Sequence, residues 1–180
     1  MLLENLREAS IDYDLGRRRV IAIEGPNCVG KSFLTKELAK RFSFRVHRKF
    51  IPPVDRMMIL GDMLAIHDFA DRIIIDRTFL SWSKYNYFDE EMFHWWLKSF
   101  SSTDSVLICL DASVEKILEL ASKKGEIIGR ERIDEDRLWF EDMYRRFSGD
   151  FKISYFLDHN DNMVDDIYNQ IQDYWRGRGF

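Results

Sequence analysis

Apolar, β-rich runs recur along the chain at 19–24, 44–46, 72–76, 105–110 and 153–157, and the stretches between them carry apolar residues at helical spacing. The pattern predicts helices over 31–42, 55–70, 79–99, 113–123, 134–148 and 163–175. Ser113, and Asp161 or Asn162, stand where N-caps belong, because a short polar side chain there can accept a bond from an orphan helix N–H. Strands alternating with helices argue for a parallel sheet covered on both faces. The uninterrupted apolar stretches 73–75 and 106–110 fit strands buried on both sides. The expectation is an α/β fold of three layers with about five parallel strands. No internal repeat or low-complexity linker interrupts it, so residues 1–180 read as one domain, with 1–17 as a packing appendage before the first strand.

The first strand runs straight into Gly25-Pro26-Asn27-Cys28-Val29-Gly30-Lys31-Ser32. That is the spacing of a phosphate-binding P-loop. Glycines let the backbone curl until successive N–H groups point inward, and a helix starting near Lys31 adds the positive end of its dipole. The expected ATP-binding residues are therefore Gly25 to Phe33. Lys31 reaches the β- and γ-phosphates in such a loop, and the Ser32 hydroxyl ligates Mg²⁺.

Composition narrows the picture without changing it. A chain of 180 residues that is 46% hydrophobic and 14% aromatic has material for one substantial core. No apolar run approaches the roughly 20 residues of a membrane span, and the N-terminus carries acids, so a cytoplasmic location is expected. Cys28 and Cys109 lie in unlike settings without metal spacing, which reads as two reduced thiols. A net charge of −4 offers no broad field for gripping a nucleic-acid polymer.

Two classes of P-loop protein are disfavoured. Water-activating ATPases set a Glu beside the Asp that ends a catalytic strand, whereas Asp76 is followed by Arg77 and Asp111 by Ala112. A guanine-specific switch needs an Asn-Lys-x-Asp element, and the chain has none. After Asp76 come an Arg, an aromatic-rich helix and a segment dense in Lys and Arg, which are parts for holding a second substrate against ATP.

These residues resemble the thymidylate kinase and deoxynucleoside kinase superfamily. Ile23-Glu24-Gly25 is similar to that family's apolar-Glu-Gly entry into the loop. The run Asp76-Arg77-Thr78-Phe79-Leu80-Ser81-Trp82-Ser83-Lys84-Tyr85-Asn86 resembles its Asp-Arg-Tyr-x-x-Ser-x-x-Ala-Tyr-Gln. Leu110-Asp111-Ala112-Ser113-Val114-Glu115 is similar to the junction before the family's lid, Arg132-Ile133-Asp134 to the lid's closing Arg-Ile-Glu, and Phe156-Leu157-Asp158 to the end of its last strand near the adenine. The likeness covers about 19–175. It departs at His47-Arg48-Lys49-Phe50-Ile51-Pro52-Pro53, which lacks the family's Glu, at Thr78 in place of Tyr, and at Asn86 in place of Gln.

The resemblance implies phosphoryl transfer from ATP to a nucleotide, with a deoxypyrimidine nucleoside monophosphate as the leading acceptor. Asp76 would join Ser32 at Mg²⁺, directly or through water, and Arg77 would sit at the transferring phosphoryl. Segment 123–132 has glycines at 125 and 129 and four cations, as expected of a lid. Because the loop has no cation between Gly25 and Gly30, Arg130 and Arg132 are the candidates to supply that charge. Arg48, Lys49 and Arg56 could hold an acceptor phosphate, with Ser81, Tyr85 and Asn86 around its base. Arg137, Arg145 and Arg146 read as surface partners of Glu141 and Asp142. The aromatic crowd from Phe79 to Phe100 reads mostly as core, and the four histidines as structural or exposed.

A nucleoside acceptor would need a general base, for which Glu24 and Asp55 are the nearby carboxylates. The other readings are a deoxynucleoside kinase, a kinase of a modified-base hydroxyl in DNA, and a module that binds ATP without transferring phosphate. Members of this superfamily are commonly dimers, so a homodimer is an open expectation.

Overall fold

The computed structural model describes residues 18–48, 72–78, 80, 81, 84, 97, 98 and 103–178. Five parallel strands form one sheet: β1 (Arg19–Glu24), β2 (Arg45–Arg48), β3 (Arg72–Asp76), β4 (Asp104–Asp111) and β5 (Ile153–Asp158). Their order across the sheet is β2-β3-β1-β4-β5. Four helices are described: α1 (Lys31–Phe42), α2 (Val114–Lys123), α3 (Arg130–Phe147) and α4 (Met163–Arg176). The expected α/β architecture is the one observed. The predicted helices over 55–70 and most of 79–99, and the appendage 1–17, lie outside the described residues.

Successive strand residues point to opposite faces, and both faces of the central strands are covered. Ile21, Ile23, Ile74, Val106, Ile108 and Leu110 share one cluster with Leu34 and Leu38 of α1 and with Ile167, Ile171 and Trp175 of α4. Val20, Ala22, Ile73, Ile75, Leu107 and Cys109 are buried on the alternate positions. There α3 lies against β4, with the Cys109 thiol 3.9 Å from the Phe140 carbonyl oxygen. Each such Ile or Leu removed from water contributes about 1.5–3 kcal/mol, which is why these strands carry no polar alternation. At the sheet edge β5 is only partly covered, and Phe156 stays exposed.

Register puts every functional strand end on one side. Ile23 pairs with Asp76 on β3, Arg48 on β2 pairs with Asp76, and Asp111 on β4 pairs with Asp158 on β5. Because β1 has β3 on one side and β4 on the other, the chain leaves β1 at the switch point of the sheet, where α/β folds bind ligands.

Helix boundaries follow local chemistry. The Ser113 hydroxyl accepts from the Lys116 N–H at 3.2 Å, the cap expected for α2. Asn162 takes the N-cap position of α4 without a side-chain cap bond. α3 begins at Arg130, four residues before the predicted start at 134, because Gly129 serves as its N-cap and Ile133, Asp136 and Phe140 turn one buried stripe inward. Arg130 and Arg132 therefore stand on the first turn of a helix.

Candidate active site

The loop between β1 and α1 is shaped at positions that reject a side chain. Gly25 has φ +133°, and a Cβ there would lie 2.0 Å from the Leu110 carbonyl oxygen of β4. Gly30 has φ +95°, and its Cβ would meet His159 Nδ1 at 2.9 Å. Cys28 and Arg77 hold φ +60° and +70° with full side chains, a strained region for non-glycine residues. Past Gly30 the helix begins at once: Phe33 and Leu34 N–H groups both donate to the Gly30 carbonyl at 3.0 Å.

Lys31 is 5% exposed and folds back over this loop. Its ammonium donates to the Gly25 carbonyl at 2.8 Å and to the Pro26 carbonyl. Burial first, and the neighbouring Arg77 second, bring its pKa down from 10.5 to about 7. The Ser32 hydroxyl lies 3.3 Å from Asp76 Oδ2, so the two expected Mg²⁺ ligands meet. One hydroxyl and one carboxylate are hard oxygens and fit Mg²⁺, which takes the rest of its octahedron from phosphates and water. No larger cluster of His, Cys, Asp or Glu able to hold a metal occurs among the described residues.

Arg77 follows Asp76 off the end of β3, anchored by its N–H to the Ile23 carbonyl at 3.0 Å. Its guanidinium donates to Asn27 Oδ1, which joins the β3 corner to the tip of the loop. Glu24 nails the same corner from inside. It is fully buried, and its Oε1 accepts from the Thr78 N–H at 2.6 Å, the Thr78 hydroxyl and the Ser81 N–H at 3.3 Å, while Oε2 accepts from the Ser81 hydroxyl. Burial pushes its carboxyl pKa up, against those hydrogen bonds and Arg77. Glu24 is thus a brace and no longer a candidate general base: no face of it is open to an acceptor. Ser81, expected beside an acceptor, is fully buried with its hydroxyl given to Glu24.

A cleft of about 290 Å³ separates the loop from the segment that leads into α3. Pro26 and Asn27 form one wall, and Glu126 to Gly129, Arg132 and Asp136 form the other. The α2 C-terminus reverses through Gly125 at φ +72°, and Glu126 comes back to touch the loop, 3.2 Å from the Cys28 thiol. The two arginines expected in the lid part company here. Arg132 lines the cleft, whereas Arg130 bonds Glu115 of α2 at 3.0 Å, with both side chains mostly exposed. Arg137 departs from its expectation: it grips Asp111 with two nitrogens, at 2.8–3.1 Å, instead of pairing along its own helix. A carboxylate at the end of β4, 7% exposed, has a stronger claim on a guanidinium than solvated acids do. Arg145 and Arg146 do pair with Glu141 and Asp142, at 2.5 and 2.8 Å.

The chain pattern gave no role to His159, yet it is part of this site. Its N–H donates to the Asp111 carbonyl at 2.8 Å, and Nδ1 lies 3.0 Å from the Val29 carbonyl oxygen. A carbonyl can only accept, so Nδ1 carries the proton. The contact ties the Val29 carbonyl of the loop to the end of β5. Lys49, Asp55, Arg56, Tyr85 and Asn86 lie outside the described residues. Arg48 ends β2 beside Asp76 in register.

Solved structures share this fold. The YorR protein of Bacillus subtilis, in complex with phosphorylated GDP, matches with TM-score 0.67 at 18% identity, over 87% of this chain and 95% of its own. Deoxyadenosine kinase from M. mycoides with bound dCTP gives 0.59 at 19% identity over 86% and 99%. Thymidylate kinase from Candida albicans gives 0.51 at 16% over 91% and 93%. The fold is that of the P-loop kinases. At these identities the likeness is one of fold. No family model matches the chain, and no curated protein matches it. No helix among the described residues is long and apolar enough to cross a membrane.

Proposed function

We propose that this chain is a Mg²⁺-dependent kinase that transfers the γ-phosphoryl group of ATP to a deoxypyrimidine nucleoside monophosphate. The observation that carries the reading is the grouping around one loop of Lys31, the Ser32–Asp76 pair and the Arg77–Asn27 pair, with Asn27 facing Arg132 across the adjoining cleft. Phosphoryl transfer asks for cations and N–H groups around the moving phosphoryl more than for covalent chemistry.

Loop N–H groups from Gly25 to Phe33 would hold the α- and β-phosphates. Lys31 would leave the carbonyls of Gly25 and Pro26 for the β- and γ-oxygens, which keep its ammonium charged. Ser32 and Asp76 would hold Mg²⁺, which supplies charge neutralisation across the β- and γ-phosphates. Arg77 would face the γ-phosphoryl from the acceptor side, and Arg132 would close from the opposite wall with Arg130 available on the same turn. An acceptor phosphate oxygen then forms its bond to the γ-phosphorus as the bond to the β–γ bridging oxygen breaks and ADP leaves.

The locked state of Glu24 supports a monophosphate over a nucleoside, because an ionised phosphate needs no base. Arg48, Lys49 and Arg56 are the cations to receive it, and Tyr85 with Asn86 would stack on and read the base. A cytoplasmic location goes with this reading, DNA is a disfavoured acceptor, and a homodimer is compatible.

The test is a panel of nucleosides, nucleoside monophosphates and DNA offered with labelled Mg·ATP. Transfer to deoxypyrimidine monophosphates, abolished by Lys31→Met, is the expected result. Transfer to nucleosides alone would replace the acceptor and make Asp55 the base to test. No transfer together with tight ATP binding would leave an ATP-binding module.

A further inference from the structure

One carboxylate in the cleft wall serves two cations of unlike freedom. Asp136, with its side chain 5% exposed, lies 2.7 Å from the Lys84 ammonium and 3.2 Å from Arg132 Nε, both measured to Oδ1. Lys84 is sunk in the wall: its side chain is 8% exposed, and its ammonium stands 5.4 and 5.7 Å from the ring centres of Trp139 and Phe140. The Arg132 side chain is 54% exposed, borders the cleft opposite Pro26 and Asn27, and has a second, exposed carboxylate, Glu135, at 3.6 Å.

A buried carboxylate left with a single cation binds it tightly, because the alternative is an uncompensated charge in a poor dielectric. With Arg132 as its only partner, Asp136 would keep that guanidinium against the wall. Lys84 changes the balance, since it offsets the charge from 2.7 Å with a side chain that is 8% exposed. Burial depresses the Lys84 pKa, and Asp136 is the leading influence that holds it up, so the two depend on each other.

We propose that Lys84 is a positioning residue for nucleotide binding: by neutralising Asp136 inside the wall, it releases Arg132 to pair with the phosphates of ATP. The inference rests on the reading of the cleft as an ATP site. It makes a counterintuitive demand, that loss of a buried cation is repaired by loss of a buried anion.

The experiment is calorimetric titration of the full chain with Mg·ATP, which needs no acceptor. Lys84→Met should weaken binding by about 10-fold, a coupling of ordinary size for charged neighbours. Lys84→Met with Asp136→Asn should return to within about 3-fold of wild type, and Lys84→Met should add no further loss to Arg132→Ala. Wild-type affinity in Lys84→Met, a loss that persists with Asp136→Asn, or a loss that adds to that of Arg132→Ala would overturn the inference while leaving the proposed function standing. If Lys84→Met does not fold, Asp136→Asn alone decides: equal or tighter ATP binding supports the release of Arg132, and weaker binding overturns it. A wild-type chain that binds no Mg·ATP overturns the proposed function, and this inference with it.

Discussion

The two walls of the cleft are built by different physics. On the loop side, Gly25, Lys31, Asp76 and Glu24 are buried; Lys31 and Glu24 bond backbone groups or other buried side chains, and Asp76 accepts from the exposed Ser32 hydroxyl. On the α3 side, Arg130, Arg132, Glu126 and Ile127 are exposed, with Arg130 paired to the exposed Glu115 and Arg132 to the exposed Glu135 and the buried Asp136. Buried, hydrogen-bonded groups hold one geometry, whereas exposed ion pairs contribute little and exchange partners readily. One wall is a mould and the other is a set of hands. A kinase reading needs both, a preorganised nest for phosphates and cations free to arrive with them.

The sharpest way to break this comparison is to spoil the mould. Gly25→Ala puts a methyl 2.0 Å from the Leu110 carbonyl oxygen at φ +133°, so β1 and β4 must separate. Loss of on the order of 3 kcal/mol or more is expected, read as poor expression or a collapsed urea midpoint. Wild-type stability would mean that the β1–β4 junction yields more than its burial suggests.

Lys31→Met separates stability from function. Activity should fall by about 10³-fold or more, in the range of a lost charge-stabilising contact, while the ligand-free melting temperature rises because a buried ammonium is removed. The sign with pH follows from its pKa of about 7 against 10.5 unfolded. Between those values the unfolded chain holds a proton that the folded chain has lost, so ligand-free stability climbs as pH rises through that window. The slope due to this group should vanish in Lys31→Met. Equal slopes in both chains would show that Lys31 is not buried in the free protein.

Smaller effects test the other wall. Arg132→Ala should lower kcat/KM by about 10–100-fold with little change in melting temperature. Arg130→Ala should stay within about 3-fold, because its partner Glu115 is a solvated surface acid. Equal losses at both positions would mean that the turn rearranges and brings Arg130 in as well.

The mould was far more legible in the sequence than the hands. β1, β3 and α1 lie where the apolar pattern put them, since Val-Ile-Ala-Ile, Ile-Ile-Ile and the glycine spacing are local signals. The start of α3 was not legible: Arg130-Glu131-Arg132 reads as the end of a lid, with the helix expected from 134, and the burial of Ile133 and Asp136 draws it into the helix. Asp136 itself looks like an exposed acid until Lys84 is seen against it. His159 had no signal at all, because its partner is a backbone carbonyl 130 residues away. Carbonyls leave no mark in an amino-acid pattern. Glu24 was visible as chemistry but not as architecture, since the sequence cannot say which of its neighbours close over it.

The order β2-β3-β1-β4-β5 also sets a timetable. β1 leaves the ribosome before both of its neighbours but sits mid-sheet, and the second of them, β4, ends at Asp111. At the usual pace of synthesis that strand waits ~4–17 s for β4, with Ile21 and Ile23 lacking half their cover. His159 and Met163 reach Gly30 later still. The loop after β1, made before the elements that pack on it, is therefore finished only after His159 and Met163 have been made, and a nascent chain has to hold β1 without them while it grows.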